Sequence, residues 1–255
     1  MSLILTSLPG LPLVKPGDDL VALLLEALLR AGLSLEDGDI LVLAQKIVSK
    51  AEGRLANLYE VQPSERAVEL GIQIEKDPRL VELILRESRE VQRTRPGTIV
   101  VEHRLGFVCA NAGIDHSNVA GGGSEGEEWV LLLPADPDGS ARELRARLAE
   151  ASGKQLGVLI IDSHGRAWRL GTVGVAIGLA GLPGLEDLRG RPDLFGYTLR
   201  ITQVGVADEL AAAASLLMGQ AAEGTPAVHV RGFPYPLREG GIRELIREKE
   251  QDLFR

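Results

Sequence analysis

The chain has 255 residues, of which 45% are hydrophobic and 25% are charged, so it is long enough to bury a substantial core. Its formal net charge of −8, with no dense Lys/Arg run, argues against a nucleic-acid-binding protein. The acidic balance is typical of a soluble protein; alternatively, some carboxylates hold divalent cations. No apolar run reaches the roughly 18 residues that span a bilayer, and no signal-peptide pattern opens the chain, so we expect no membrane association and a cytoplasmic protein.

Cysteine and histidine usage excludes several site classes. A single cysteine, Cys109, cannot form an internal disulfide or a cysteine zinc site. Its neighbours Phe107, Val108 and Ala110 are apolar, which predicts a buried small hydrophobe rather than a nucleophile. Four histidines are too few for a typical zinc site, and no Gly-x-Ser-x-Gly motif suggests a serine hydrolase.

The first half of the chain alternates helices and strands. Asp18 and Asp19 open a helix whose leucines recur at helical spacing until Gly32. Residues 40–44 have a buried-strand pattern, and the polar, basic residues 45–54 after them are typical of a ligand loop. Further predicted elements are helices over 64–74 and from 77 to about 90, and strands over 98–101, 105–110 and 130–133.

The second half is less regular. After a turn at 136–140, residues 141–152 predict a helix, and the continuous apolar run 156–161 predicts a central strand that ends at Asp162. Residues 171–184 fit no simple period. A strand is expected over 197–204, a helix over 207–217, a strand over 227–230 and a terminal helix over 242–253. With no repeat and no clean linker, the pattern predicts one domain over 1–255 with an α+β fold of mixed sheets and flanking helices.

Two aspartates follow predicted strands. Asp115 comes after the strand at 105–110, and Asp162 comes directly after the strand at 156–161. Hard cations such as Mg²⁺ and Mn²⁺ prefer carboxylate and other oxygen ligands, so two converging aspartates are candidates to hold metal over a triphosphate. Ser163 and Asn118 offer further oxygens. Ordinary capping and turn formation is the competing interpretation of both aspartates.

Two other segments are candidate phosphate or nucleotide contacts. Lys46 and Lys50, with Arg54, follow a strand and suit phosphate neutralisation, although a solvated surface explains them equally. Glycines between residues 219 and 224 permit close backbone approach to a nucleotide, or simply end a helix. No Walker motif occurs. The glycine-rich residues 121–126 are either a lid or a tolerated insertion.

Eight blocks, in order along almost the whole chain, resemble the coenzyme F420-0:L-glutamate ligase family. They are LPLVKPGDDL (11–20), VSKAEGR (48–54), NAGIDHSNV (111–119), PADPDGSA (134–141), DSHGR (162–166), VGVAIG (173–178), ADE (207–209) and LLMG (216–219). The resemblance implies a family-specific fold forming an intertwined homodimer. It implies that GTP phosphorylates the terminal carboxylate of a deazaflavin precursor, and that the amine of L-glutamate displaces the phosphate, with further γ-linked additions. Mg²⁺ or Mn²⁺, in two sites, and a monovalent cation such as K⁺ are implied as cofactors.

The same resemblance assigns roles position by position. Asp115, Asp162 and Lys50 match catalytic residues, and Asp115, Asp162, Ser163 and Gln220 match metal ligands. Positions that match nucleotide contacts are Leu11, Pro12, Leu13, Val14, Gln45, Lys46, Lys50, Asn118, Met218, Gly219, Gln220, Ala221, Ala222, Glu223, Gly224 and Thr225.

The chain departs from its apparent relatives at a few positions. Ser163 replaces a common threonine, and Gln45 and Lys46 stand where some relatives have small hydroxyl residues. Gln220, Ala221 and Ala222 stand where relatives can be more acidic or glycine-rich. The loop at 121–128 resembles an insertion, and no C-terminal reductase-like domain is expected. A related ligase with a different carboxylate acceptor, or a non-catalytic module that binds metal and nucleotide, remains an alternative.

Overall fold

A computed structural model of the chain describes residues 2–119 and 127–252. The strands in chain order are β1 (Ile4–Ser7), β2 (Ile40–Ala44), β3 (Leu55–Asn57), β4 (Ser88–Arg95), β5 (Thr98–His103), β6 (Val108–Ala110), β7 (Trp129–Leu131), β8 (Gly157–Gly165), β9 (Thr172–Ala180), β10 (Glu186–Asp187), β11 (Gln203–Val204) and β12 (Ala227–Arg231). The helices are α1 (Leu20–Arg30), α2 (Gln45–Ala51), α3 (Glu65–Ile74), α4 (Pro78–Arg86), α5 (Pro137–Ser152) and α6 (Val206–Met218).

A five-stranded mixed sheet in the order β1-β12-β2-β8-β9 forms the centre of the fold. Only β2 and β8 pair in parallel, and the other neighbours are antiparallel. Alternate residues of β2 face opposite sides: Leu41 and Leu43 pack with α1 and α5, whereas Ile40 and Val42 pack with α6. Both faces of the sheet are therefore covered, which explains why β2 and β8 are apolar runs.

A second layer lies beside this sheet. Strands β4, β5 and β6 form a three-stranded antiparallel sheet, and α3 and α4 pack on it around Ile99 and Val101. The short pair β3–β7 links this layer to the carboxyl end of the central sheet, because Asp115 extends the pairing through a bridge to Leu131. The α+β class with mixed sheets and flanking helices is thus confirmed.

Strongly periodic segments are where sequence and structure agree. The helices predicted at 64–74 and 207–217 and the strands predicted at 40–44 and 227–230 appear within a residue or two of their expected bounds. Asp19 caps α1, with its Oδ1 accepting the backbone N–H of Val21 at 3.0 Å. Cys109 is buried, at 6% exposure, as predicted.

The expected ligand loop at 45–54 is wrong, because residues Gln45–Ala51 form helix α2. The buried face of α2 contains Ile47 and Val48, and this apolar stripe explains why the segment is helical. The strand expected to end at Asp162 is also longer, because β9 residues Thr172–Val175 pair with β8 as far as Gly165. Asp162 therefore lies inside a strand rather than at its end.

Two long strands, β4 and β9, were not predicted. The helix expected to reach residue 90 ends at Arg86, and Ser88–Arg95 forms β4. The many charged side chains of β4 obscure the alternation of apolar and polar residues that would indicate a strand. Residues 172–180, in the segment without a clear period, form β9. Its glycines are explained by packing, since a Cβ on Gly174 would lie 2.6 Å from the carbonyl oxygen of Ala211 in α6.

Two predicted elements are wrong. Within 197–204 only Gln203–Val204 is a strand, and Tyr197 and Ile201 are exposed. The terminal helix expected over 242–253 is replaced, as far as residue 252, by two 3₁₀ turns at Ile242–Glu244 and Lys249–Gln251. Most of this segment is exposed, so little packing supports a helix there. No helix in the described ranges is long and apolar enough to cross a membrane, and the 121–126 loop lies outside those ranges.

Candidate active site

Asp115 and Asp162 reach the same region from different elements. Asp162 belongs to β8, directly after Ile161, which pairs with Ala44 at the end of β2. Asp115 follows a turn in which Asn111 and Ala112 adopt left-handed backbone conformations, and two backbone hydrogen bonds hold it against Leu131. The carboxyl ends of parallel strands are common ligand-binding positions, and both aspartates lie near those of β2 and β8.

The negative charge of Asp162 acts on Asp115. Burial and the negative charge of Asp162 raise the pKa of Asp115 from 3.8 to about 6, against the opposing effect of Lys46. Buried like charges disfavour ionisation of one another. Burial and the charge of Asp162 also raise the pKa of the Cys109 thiol to about 12, so this cysteine is an inert neighbour of the site.

Gln45, the first residue of α2, contacts Asp115 directly. Its Nε2 donates to Asp115 Oδ2 at 2.6 Å, and its Oε1 accepts the hydroxyl of Ser49 at 2.8 Å. Gln45 is buried because α2 starts where the buried strand β2 ends. The structure thus brings the Gln45 side chain into the aspartate cluster.

Two lysines on one face of α2 bind the segment that carries Asp115. Lys46 Nζ lies 3.4 Å from Asp115 Oδ1 and donates to the carbonyl and the hydroxyl oxygens of Ser117 at 3.1 and 3.2 Å. Lys50 Nζ donates to the carbonyl oxygen of Asn118 at 2.7 Å. Burial and the nearby charge of Lys46 lower the pKa of Lys50, with Asp115 opposing. Residues spaced four apart on a helix face the same side, so the two ammonium groups form one cationic edge.

The loop after α6 joins this edge through Asn118, whose Nδ2 donates to the carbonyl oxygen of Ala221 at 3.0 Å. Within the loop, Glu223 accepts the N–H of Ala221 at 2.8 Å, and Thr225 donates to the carbonyl oxygens of Leu217 and Met218. The hydrogen bond from the backbone N–H of Ala221 to its carboxylate is the main cause that lowers the pKa of Glu223. The remaining loop residues predicted to contact nucleotide are Gly219, Gln220, Ala222 and Gly224, and all are at least partly exposed.

Ser163 and Gln220 form a separate pair. Adjacent side chains on a strand point to opposite faces, so Ser163 faces the α6 side of β8 while Asp162 faces the other side. The hydroxyl of Ser163 donates to Gln220 Oε1 at 2.8 Å. The four predicted metal ligands therefore divide into two pairs on either side of one strand. Within the described ranges, no three His, Cys, Asp or Glu side chains cluster in a way that could hold a metal ion.

Other predicted contacts lie apart from this cluster. Leu11 and Val14 pack with α1 in the main core, whereas Leu13 is 82% exposed, and Pro12 lies between them on the surface. Arg54 does not join the lysines, because its guanidinium donates to the carbonyl oxygen of Leu133 and to Glu87. Its expected part in phosphate neutralisation is thus replaced by a structural one.

Three residues that touch the site had no predicted role. His164 Nε2 lies 3.0 Å from Asp162 Oδ2, Ser117 receives Lys46, and Ser49 orients Gln45. The i, i+2 spacing of His164 and the i, i+4 spacing of Ser49 are the signals that could have found them, once β8 and α2 are recognised.

Two adjoining carboxylates, neutral oxygen donors and two ammonium groups can bind a divalent cation and phosphate oxygens together. This combination is typical of phosphoryl-transfer enzymes, in which catalysis is mainly positioning and charge neutralisation. The family model described as F420-0:Gamma-glutamyl ligase matches residues 10–232. The chain belongs to this family.

Curated relatives are similar over the full length. The coenzyme F420:L-glutamate ligase of Methanothermobacter thermautotrophicus is 51% identical and covers 100% of both chains. The proteins of the same name from Methanopyrus kandleri and Archaeoglobus fulgidus are 50% and 47% identical, covering 95% and 96% of this chain and 93% and 94% of their own.

Proposed function

We propose that the protein is a coenzyme F420:L-glutamate ligase that uses GTP. The observation that carries this proposal is the convergence of Asp115, Asp162, Lys46 and Lys50 on one edge of the central sheet, in a chain of this family. The relatives are named as ligases acting on coenzyme F420 and L-glutamate, and the same acceptor and amine are proposed here.

The proposed reaction has two steps. An oxygen of the precursor's terminal carboxylate attacks the γ-phosphorus of GTP, and the bond to GDP breaks. The amine of glutamate then attacks the acyl carbon, phosphate leaves, and the amine nitrogen loses a proton to give the amide. Repetition at the new γ-carboxylate would add further glutamates.

The chain's own residues supply charge and position for these steps. Lys46 and Lys50 are suited to neutralising phosphate oxygens, since each ammonium group is held near Asp115 or Asn118 and is partly removed from water. Asn118 links this cationic edge to the carbonyl oxygen of Ala221, which supports the proposal that residues 218–225 contact the nucleotide through their backbone. We assign Leu11–Val14 to the nucleotide's outer contacts by resemblance alone.

The donor set fits hard divalent cations. Partial burial and the charge of Asp162 raise the pKa of Asp115, so a cation between the two aspartates would remove an unfavourable repulsion. Ser163 and Gln220 offer neutral oxygens on the other side of β8 for a second cation. Mg²⁺ or Mn²⁺, when bound, would offset negative charge on the transferring phosphoryl group. A monovalent cation such as K⁺ is part of the proposal without an assigned ligand.

We further propose that the protein acts as a homodimer in the cytoplasm, where GTP is available. Two hairpins expose large apolar side chains: Leu170 is 99% exposed after β8, and Leu194 and Phe195 are 98% and 95% exposed between β10 and β11. Exposed apolar side chains in such numbers are typical of protein–protein interfaces.

Mass spectrometry of a defined reaction tests the function. The purified protein is incubated with GTP, Mn²⁺, L-glutamate and the glutamate-free deazaflavin, and the product should gain the mass of one glutamate residue, or several. ATP in place of GTP is the control for nucleotide choice. GTP turnover that ignores the deazaflavin would point to another acceptor, and absence of any turnover would point to a binding module.

Isotope transfer tests the acyl phosphate. If the precursor carboxylate is labelled with ¹⁸O, one labelled oxygen should appear in the released phosphate for each amide formed. Unlabelled phosphate with labelled amide product would rule out this intermediate.

A further inference from the structure

A series of hydrogen bonds runs from Ser49 through Gln45 to Asp115, and Ser49 and Gln45 are buried beside the apolar core. Gln45 is 1% exposed and Ser49 is 0% exposed, and both lie on α2 one helical turn apart. Ser49 Oγ donates to Gln45 Oε1 at 2.8 Å, and Gln45 Nε2 donates to Asp115 Oδ2 at 2.6 Å. Buried amides and hydroxyls are unfavourable unless hydrogen-bonded, so these partners determine the orientation of the amide.

The direction of this chain follows from donor and acceptor chemistry. An ionised carboxylate only accepts hydrogen bonds, so Gln45 must present its NH₂ group, and not its carbonyl oxygen, to Asp115. That orientation turns Oε1 towards Ser49, whose hydroxyl rotates to donate. A flipped amide would set two oxygens against each other. Asp115 therefore selects the amide orientation, and Ser49 satisfies the amide oxygen that this orientation buries and holds it in place.

The hydrogen bond from Gln45 occupies one oxygen of the Asp115 carboxylate and leaves the other oxygen available. Oδ2 of Asp115 is held by Gln45, whereas Oδ1 lies 3.4 Å from Lys46 Nζ, a distance beyond a normal hydrogen bond. Two hydrogen bonds, one donated by the N–H of Asp115 and one accepted by its carbonyl oxygen, fix the Asp115 backbone against Leu131. Because the backbone is fixed, holding Oδ2 also fixes the direction of Oδ1.

We propose that Gln45 and Ser49 are positioning residues that fix Asp115 so that Oδ1 faces the divalent cation. This inference rests on the proposed function, since it requires a cation beside Asp115. Partners of this kind, which hold a ligand without touching the metal, commonly contribute 10- to 100-fold in metal affinity or activity.

Manganese binding without nucleotide tests the proposal. Gln45→Met keeps the volume and removes the donor, and Ser49→Ala removes only the hydroxyl. We expect Gln45→Met to raise the Mn²⁺ dissociation constant, measured by electron paramagnetic resonance, by about 10-fold or more. Ser49→Ala should raise it less, and the double variant should match Gln45→Met, because Ser49 acts through Gln45.

Ser152→Ala is the control, since it removes a helix hydroxyl that donates to the backbone carbonyl oxygen of Leu148, four residues earlier and outside the aspartate cluster. Denaturant unfolding identifies any variant that fails to fold, and Ser49→Ala, the milder change, then carries the test. An unchanged Mn²⁺ dissociation constant in a folded variant, or additive effects in the double variant, overturns the positioning role alone. A wild-type protein that binds no Mn²⁺ overturns the proposed cation site, and this inference with it.

Discussion

The side chain of Asp115 is held by a residue 70 positions earlier in the chain, because Gln45 Nε2 donates to its Oδ2 at 2.6 Å. Asp115 and Asp162 stand out in the sequence because each follows an apolar strand pattern. The contacts that Gln45 and His164 make with these aspartates do not stand out in the same way, because they depend on β2 and β8 lying side by side with Asp115 folded across them. Contacts between residues 70 positions apart, such as Gln45–Asp115, are set by tertiary pairing and leave no local pattern.

Asp115→Asn and Asp162→Asn should each lower kcat/KM for glutamate addition by about 100-fold or more, about 2.7 kcal/mol, because each removes a charged oxygen from the proposed cation site. Initial-rate measurements of product by mass spectrometry provide the values. Asp37→Asn is the control, since an amide oxygen can still accept the N–H of Gln155, as Asp37 does. Activity within a few-fold of wild type for Asp162→Asn would contradict the assignment.

His103 gives the protein a defined acid sensitivity. Burial, with the positive charges of Arg104 and Arg54, lowers the pKa of His103 from 6.5 to about 4. The unfolded chain therefore takes up the proton first as the pH falls. The contribution of the neutral imidazole to the free energy of unfolding is therefore fully present above pH 6.5. It is lost as the pH falls from 6.5 to about 4, and the full loss is roughly 3 kcal/mol.

The variant His103→Asn tests this, because its side-chain oxygen can still accept the N–H of Leu105 that Nδ1 accepts at 3.0 Å. Urea unfolding at several pH values should show a stability difference between wild type and variant that narrows as the pH falls from 7 to 5. A difference independent of pH would exclude His103 as the titrating group.

Among the helices and strands, those with a clear apolar periodicity could be predicted from the sequence. The helix at 64–74 carries a clear apolar stripe and a serine cap, so it was predicted. Strand β4 has charged residues on its exposed positions and continues directly from α4, which made it resemble more helix. Strand β9 is glycine-rich because α5 and α6 press against it, and that close packing is invisible in one sequence.

Gly178→Ala should therefore destabilise the fold by about 1–3 kcal/mol, because a Cβ there would overlap Pro137 at the start of α5. The free energy of urea unfolding measures this. Gly165→Ala, at the end of β8, is the matched control, since a Cβ at that position meets nothing within 4 Å. Equal stability of the two variants would show that α5 does not press against β9.

In the molecule as a whole, the central sheet positions the aspartate cluster, whereas the hairpins expose apolar side chains at the surface. The aspartate cluster depends on β2, β8 and the Asp115 segment meeting, whereas Leu194 and Phe195 lie on a peripheral hairpin.

We expect Phe195→Asp to convert a dimer into a monomer in light scattering after size-exclusion chromatography. Leu29→Asp, at a position 79% exposed on α1, should leave the dimer intact. A monomeric wild-type protein, or a dimeric Phe195→Asp variant, would reject this interface.

The proposed mechanism requires Asp115 and Asp162 to share one cation that binds the nucleotide phosphates. Anomalous diffraction at the manganese edge, from crystals grown with Mn²⁺ and GDP, locates such a cation. We expect a peak within about 2.5 Å of a carboxylate oxygen of each aspartate, next to the phosphates. Phosphates bound elsewhere, with no manganese between Asp115 and Asp162, would contradict it.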